Sequence, residues 1–161
     1  MAHNTRWTGF TLIELLVVLA VLGVLAAIAV PVVEVMVQRH REAELRLALR
    51  EIRHAIDAYK RAYDEGRVLR VLNSSGYPKT LAVLVEGIED ARDPKKSRMY
   101  FLRRLPADPV VQVVASHDPA SSWGKRAYAS DAGDPKEGDD VYDVFSRSAK
   151  VGLNGVPYNK W

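Results

Sequence analysis

Gly9-Phe10-Thr11-Leu12-Ile13-Glu14 opens the stretch that decides the fold, because the nineteen residues behind it, Leu15 to Val33, carry no charge and are almost wholly apolar. At 1.5 Å per residue this run makes a helix of about 28 Å, close to the roughly 30 Å hydrocarbon core of a bilayer. Gly23, Pro31 and a few alanines are its only departures from Leu, Val and Ile. It exceeds the roughly 7–15 residues of a secretory h-region. No small-residue cleavage site precedes the charged stretch Gln38-Arg39-His40-Arg41, so the run is expected to stay on the protein. Glu14 then stands at the mouth of a membrane segment. At the centre of a spanning helix an acidic group is unfavourable by roughly 2.5–3.5 kcal/mol, so a charge in this setting predicts a function and a partner.

Working outward toward the N-terminus, Met1 to Gly9 contains one charged residue, Arg6. This segment, followed by Phe10-Thr11-Leu12-Ile13-Glu14-Leu15-Leu16-Val17-Val18, resembles the leader and mature N-terminus of type IV pilins and of the pseudopilins of type II secretion. The resemblance implies that a prepilin peptidase cuts between Gly9 and Phe10 and methylates the new amine of Phe10. It also implies that Glu14, fifth residue of the processed chain, meets the N-terminal amine of a neighbouring subunit during assembly.

Beyond the apolar run the pattern becomes periodic. Leu45, Ala48, Leu49, Ile52, Ala55, Ile56, Tyr59 and Tyr63 recur at intervals of three and four with charges between them, which predicts an amphipathic helix. Core packing against the chain's own sheet is the expected use of this stripe. Glu42 and Arg46 have the favourable i,i+4 order, and Asp64-Glu65-Gly66 predicts a helix end. One helix from Phe10 to about Asp64 is roughly 80 Å long, with a kink expected at Pro31, whose missing N–H breaks the ladder.

Net charge is +3, with no strongly biased segment: residues 34–66 balance seven basic against seven acidic, and residues 67–161 hold fifteen against twelve. Arginines 39, 41, 46, 50 and 53 follow the span and oppose a simple positive-inside orientation. That rule weakens for long translocated domains, and the family resemblance implies that the C-terminal part lies outside.

The chain has no cysteine, so residues 67–161 must hold by core and hydrogen bonds alone. They suffice for one small core. Pro78 to Gly87 predicts a short helix with Thr80 as N-cap and Gly87 past its end. Val110 to Ser116, Trp123 to Ala129 and Val141 to Ser146 are expected strands, separated by Pro, Gly and Asp turns.

Gly76-Tyr77-Pro78, Leu102 to Pro109, Trp123-Gly124-Lys125-Arg126-Ala127-Tyr128 and Val141-Tyr142-Asp143-Val144-Phe145-Ser146 are similar, in this order, to the globular domain of the major, G-type pseudopilin. Many members of that subfamily hold calcium on aspartates in the loop after the last strand. Here Arg147 to Trp161 contains no carboxylate side chain. A hard cation takes about 6–8 oxygens, usually some of them acidic, so no cofactor is expected and calcium is disfavoured. The cluster Asp131, Asp134, Glu137, Asp139, Asp140 and Asp143 lacks EF-hand spacing and is expected to be a solvated turn. The basic cluster Arg92, Lys95, Lys96, Arg98, Arg103 and Arg104, with Tyr100 and Phe101, is diluted by Asp90 and Asp93; a solvated face is expected rather than a nucleic-acid surface. His3, His40, His54 and His117 are too scattered for a ligand set, and no catalytic constellation is present.

The expectation is an α+β, pilin-like chain: leader 1–9, transmembrane and assembly helix 10–33, amphipathic continuation 34–66, exported domain 67–161. Function follows from the resemblance: a structural pseudopilin, not an enzyme, polymerising with copies of itself into the periplasmic pseudopilus of a type II secretion system. The alternative is a type IV pilus or competence subunit for adhesion, motility or DNA uptake. Implied partners are the prepilin peptidase, minor pseudopilins, the inner-membrane assembly platform and the bilayer, with a single pass through a bacterial inner membrane and the C-terminal domain in the periplasm.

Overall fold

A computed structural model of the chain describes residues 10–111 and 118–161. They form an α+β arrangement of one long helix and two small antiparallel sheets, as expected for a pilin-like chain. The chain divides into two compact units, residues 1–39 and 40–161, and helix α1, Leu12–Asp64, contributes to both.

In the first unit the helix is apolar all round from Leu15 to Val33. Leu15, Leu16, Val17 and Val18 point about 100° apart around the axis, and each is about half exposed. Helix α1 is long and apolar enough to cross a membrane. Pro31 lies within this continuous helix, where its ring removes one main-chain donor.

In the second unit the predicted stripe is the core. Leu45, Leu49, Ile52 and Ile56 are at most 3 % exposed and pack with Leu81, Leu84, Leu102, Trp123, Val144 and Tyr158. Truncating a side chain such as Ile52 to alanine in such a core costs about 2–5 kcal/mol. Helix α1 ends where the sequence predicts. Arg67 N donates to Ala62 O and Gly66 N to Tyr63 O, both at 2.9 Å, with Gly66 at φ 73°, a left-handed glycine closing two orphan carbonyls.

Helix α2, Ala82–Glu86, is shorter than predicted, and Thr80 is not its cap. Leu81 precedes it with helical φ and ψ, makes no side-chain cap bond, and is buried in the core. Apolar anchoring thus fixes this helix start, and Gly87 follows its end as predicted.

Strands β1, Ile88–Glu89, and β2, Arg98–Met99, pair antiparallel and had no counterpart among the predicted strands. Strands β3, Trp123–Arg126, and β4, Asp143–Ser146, pair with Trp123 opposite Ser146 and Arg126 opposite Asp143. Each is shorter than predicted. Past Arg126 the next donor, Ala127 N, turns to Lys136 O at 2.9 Å, which ends the ladder. Gly124 is required here: a Cβ would lie 2.3 Å from Cε2 of Phe145 on the facing strand. The strand expected at Val110 to Ser116 falls mostly on residues 112–117, outside the described ones.

Candidate functional site

The helix start is built by its own sequence. Thr11 sits directly before Leu12, its hydroxyl accepts from Glu14 N at 3.3 Å, and its carbonyl accepts from Leu15 N at 3.2 Å. A Thr with Glu three residues on is the capping-box pattern, and a carboxylate in the first turn is favoured by about 0.3–1 kcal/mol through the helix dipole. Thr11 was a site residue that sequence reading missed, although the Thr-x-x-Glu spacing displays it.

Phe10 is 82 % exposed and Glu14 lies exposed one helical turn away. Among the described residues no cationic side chain pairs with the Glu14 carboxylate. Phe10 and Glu14 are thus brought to one helix end, ahead of an apolar surface that its own unit leaves uncovered. Gly9 lies outside the described residues, and Pro31 stands several turns further along α1.

A second carboxylate of the same helix has the opposite fate. Glu42, which has the i,i+4 order expected of a pair with Arg46, is 4 % exposed. Its Oε1 accepts from Leu153 N at 2.7 Å and from Tyr158 Oη at 3.0 Å, and its Oε2 pairs with Arg46 Nη2 at 3.7 Å. Arg46 also lies over the Trp161 ring, 4.4 Å from its centroid. Arg53 Nη2 donates to Val144 O and Trp161 O, each at 3.0 Å, and Arg53 Nε to Asp143 Oδ1 at 2.8 Å. Three residues of one helix face therefore clamp the loop after β4. The loop is also tied to itself, with Gly152 N donating to Val156 O at 2.9 Å and Tyr158 N to Lys150 O at 3.0 Å.

The acidic cluster is largely spent within the chain. Asp131 accepts from Gly133 N at 2.6 Å, Asp134 pairs with Lys136 at 2.9 Å, and Glu137 pairs with Arg147 at 3.1 Å. Asp140 accepts from the Ser75 hydroxyl and from Tyr128 N. Among the described residues no group of three or more His, Asp or Glu is placed to hold a metal ion.

Beside the basic cluster, Arg67 donates twice to Asp90 Oδ2, at 2.7 and 2.9 Å. That guanidinium, then the Arg92 N–H, holds the Asp90 carboxyl below its ordinary range. Ser97 and the Lys95 N–H do the same for Asp93. Phe101 packs on Tyr59 at 5.4 Å, and burial raises the Tyr59 hydroxyl above its ordinary value. His40 pairs with Glu44 at 3.2 Å, and His54 is exposed.

Residues 8–30 match the family model of the prokaryotic N-terminal methylation motif. The match covers the leader end, Phe10, Glu14 and most of the apolar run, and it indicates a prepilin-type, type IV pilin-like chain whose apolar helix fits a single-pass inner-membrane protein. No curated protein and no solved structure matches the chain.

Proposed function

We propose that this chain is a structural pseudopilin of a type II secretion system, cleaved after Gly9, methylated on Phe10 and polymerised through the N-terminal part of α1. The observation that carries the reading is Glu14: a carboxylate at the head of an apolar helix, one turn from Phe10, with no cationic partner among the described residues. In the bilayer such a charge is unfavourable unless it is paired. The amine of a neighbouring subunit's Phe10, freed by cleavage, supplies a positive charge at the depth of Glu14. At about 4 Å and an effective dielectric of about 20 the attraction is of order 4 kcal/mol. Repeated along a fibre, it favours a staggered homopolymer whose apolar helices cover one another. The similarity of Gly76-Tyr77-Pro78 and of residues 102–109, 123–128 and 141–146 to the G-type subunit favours secretion over the pilus or competence alternative, with the C-terminal domain in the periplasm.

The test compares Glu14→Leu with the unsubstituted chain in cells, measuring pelletable filament and exported enzyme against membrane-bound monomer. Loss of filament with the monomer retained is expected. Normal filament yield from Glu14→Leu refutes the assembly role, and loss of DNA uptake or twitching with secretion intact refutes the secretion assignment.

A further inference from the structure

Two surfaces of the 40–161 unit carry exposed apolar groups that its core leaves unused. One is a groove of about 620 Å³ whose lining includes Leu72, 94 % exposed, and Tyr128, 61 % exposed. Tyr128 is held in place: its ring stacks on Tyr77 at 5.5 Å and its N–H donates to Asp140 at 2.8 Å. Asp139 and Lys79 line the same groove, both exposed and without an ion-pair partner among the described residues. The other surface centres on Tyr100, 65 % exposed just after β2. Arg103 and Arg104 follow it, exposed and without partners among the described residues.

Contiguous exposed apolar groups rimmed by charge mark interaction sites, and aromatic rings and arginine are the side chains that anchor them. With Asp139 and Asp140 against Lys79 the groove is net negative, and Arg103 and Arg104 make the Tyr100 surface positive. Among the described residues no ion pair joins residues 92–104 to residues 131–140, so the complementarity is not consumed within one chain. A symmetric contact through the Tyr100 surface places its arginines face to face, which costs several kcal/mol. A contact between unlike surfaces avoids this, and a heterologous contact that does not close generates a filament.

We propose that these surfaces meet between copies of this chain: Tyr100 of one copy seats in the Tyr128 and Leu72 groove of another, with Arg103 or Arg104 against Asp139. The inference rests on the filament reading above and adds to it a contact outside the apolar helix. It fixes the rotational register of successive subunits, which a helix apolar all round leaves weakly specified.

The chain has no native cysteine, so introduced ones report a single contact. Full-length Arg103→Cys and Asp139→Cys chains, co-expressed, are expected to give a disulfide-linked dimer in the filament fraction, and neither chain alone is. Asp139→Arg is expected to lower filament yield by about tenfold or more, since it sets like charges together. Adding Arg103→Glu and Arg104→Glu to that chain is expected to restore the yield. Filaments without the cross-link, or Asp139→Arg at unsubstituted yield, overturn the contact while leaving the polymer intact. Failure of the unsubstituted chain to polymerise overturns the filament reading and the contact with it. The cysteine pair decides the matter even where Asp139→Arg also lowers the melting temperature.

Discussion

Glu42→Ala is the substitution that separates a buried tie from a surface ion pair. In the folded chain Glu42 Oε1 is the acceptor for both Leu153 N and Tyr158 Oη, and its side chain is 5 % exposed. A hydrogen bond to a charged group contributes about 1.5–3 kcal/mol, and a buried donor left unpaired costs about 1–3 kcal/mol. Two donors lose their acceptor at once. Relief from burying a carboxylate offsets part of this, and the net loss is about 3–4 kcal/mol. For a unit of this size about 1 kcal/mol moves the melting temperature by roughly 3–5 °C, so the expected fall is about 10–15 °C. Glu42→Gln keeps an acceptor oxygen in place and is expected to cost only about 1 kcal/mol.

The assay is thermal unfolding of the purified full-length chain in detergent, followed by circular dichroism, with Tyr158→Phe and the double variant beside it. The two changes share one hydrogen bond, so their effects are expected to fall short of additive by about 1 kcal/mol. Melting of Glu42→Ala within about 2 °C of the unsubstituted chain refutes the clamp, because a surface pair contributes only about 0–1 kcal/mol. Strict additivity with Tyr158→Phe refutes the shared bond.

Intact-mass analysis of membrane-purified protein is expected to show a chain that begins at methylated Phe10; a mass retaining Met1 to Gly9 in cells with active peptidase contradicts this. Asp90 is held below its ordinary value by Arg67, so its contribution is full above about pH 4 and is lost as pH falls through the lower folded-state value. Asp90→Asn is therefore expected to melt lower at pH 7 and to show a shallower loss below about pH 4; identical pH profiles contradict the pair. Gly124→Ala is expected to cost about 1–3 kcal/mol through its clash with Phe145, relieved when Phe145→Ala is added, as denaturant melts will show. Melting is expected to be the same with millimolar calcium as with chelator, since the loop from Arg147 to Trp161 offers no carboxylate of its own; at a hundredfold excess over Kd a real site adds about 2.7 kcal/mol, a rise visible in the melt.

What was legible followed from periodicity and punctuation. The stripe from Leu45 to Tyr59 repeats at 3.6 residues for several turns, and only a buried face sustains that. Gly66 and Gly87 marked real helix ends because each adopts a φ near 73° that side chains with a Cβ resist. Strands β3 and β4 were found but overextended, since their continuation depends on Ala127 N turning to Lys136 O, a choice made by the turn and not by strand residues. Strands β1 and β2 are two residues each, too short to show alternation. Thr80 has cap chemistry, yet the burial of Leu81 sets where α2 begins. The i,i+4 pair of Glu42 with Arg46 was legible and forms at 3.7 Å, whereas the burial of Glu42 was not read, although it stands three residues before Leu45 and seven before Leu49, on the buried face.

Glu14 and Glu42 are carboxylates of one helix, and under the proposed function their difference separates folding from assembly. Glu42 finds its donors inside the chain, so its energy belongs to the folded unit. Among the described residues only Asp108 Oδ2 and Asn159 Oδ1 are buried side-chain atoms without a hydrogen bond, which shows how fully this fold pairs what it encloses. Glu14 has no cationic partner among the described residues and lies in the segment matched by the methylation motif, and the proposed function gives it one in the N-terminal amine of another subunit. The two sites should therefore respond oppositely: Glu42→Ala lowers the melting temperature while the folded fraction still polymerises, and Glu14→Leu abolishes polymer at unchanged melting temperature. If both variants move both readouts together, the carboxylates are not independent and the division of α1 into an assembly half and a folding half fails.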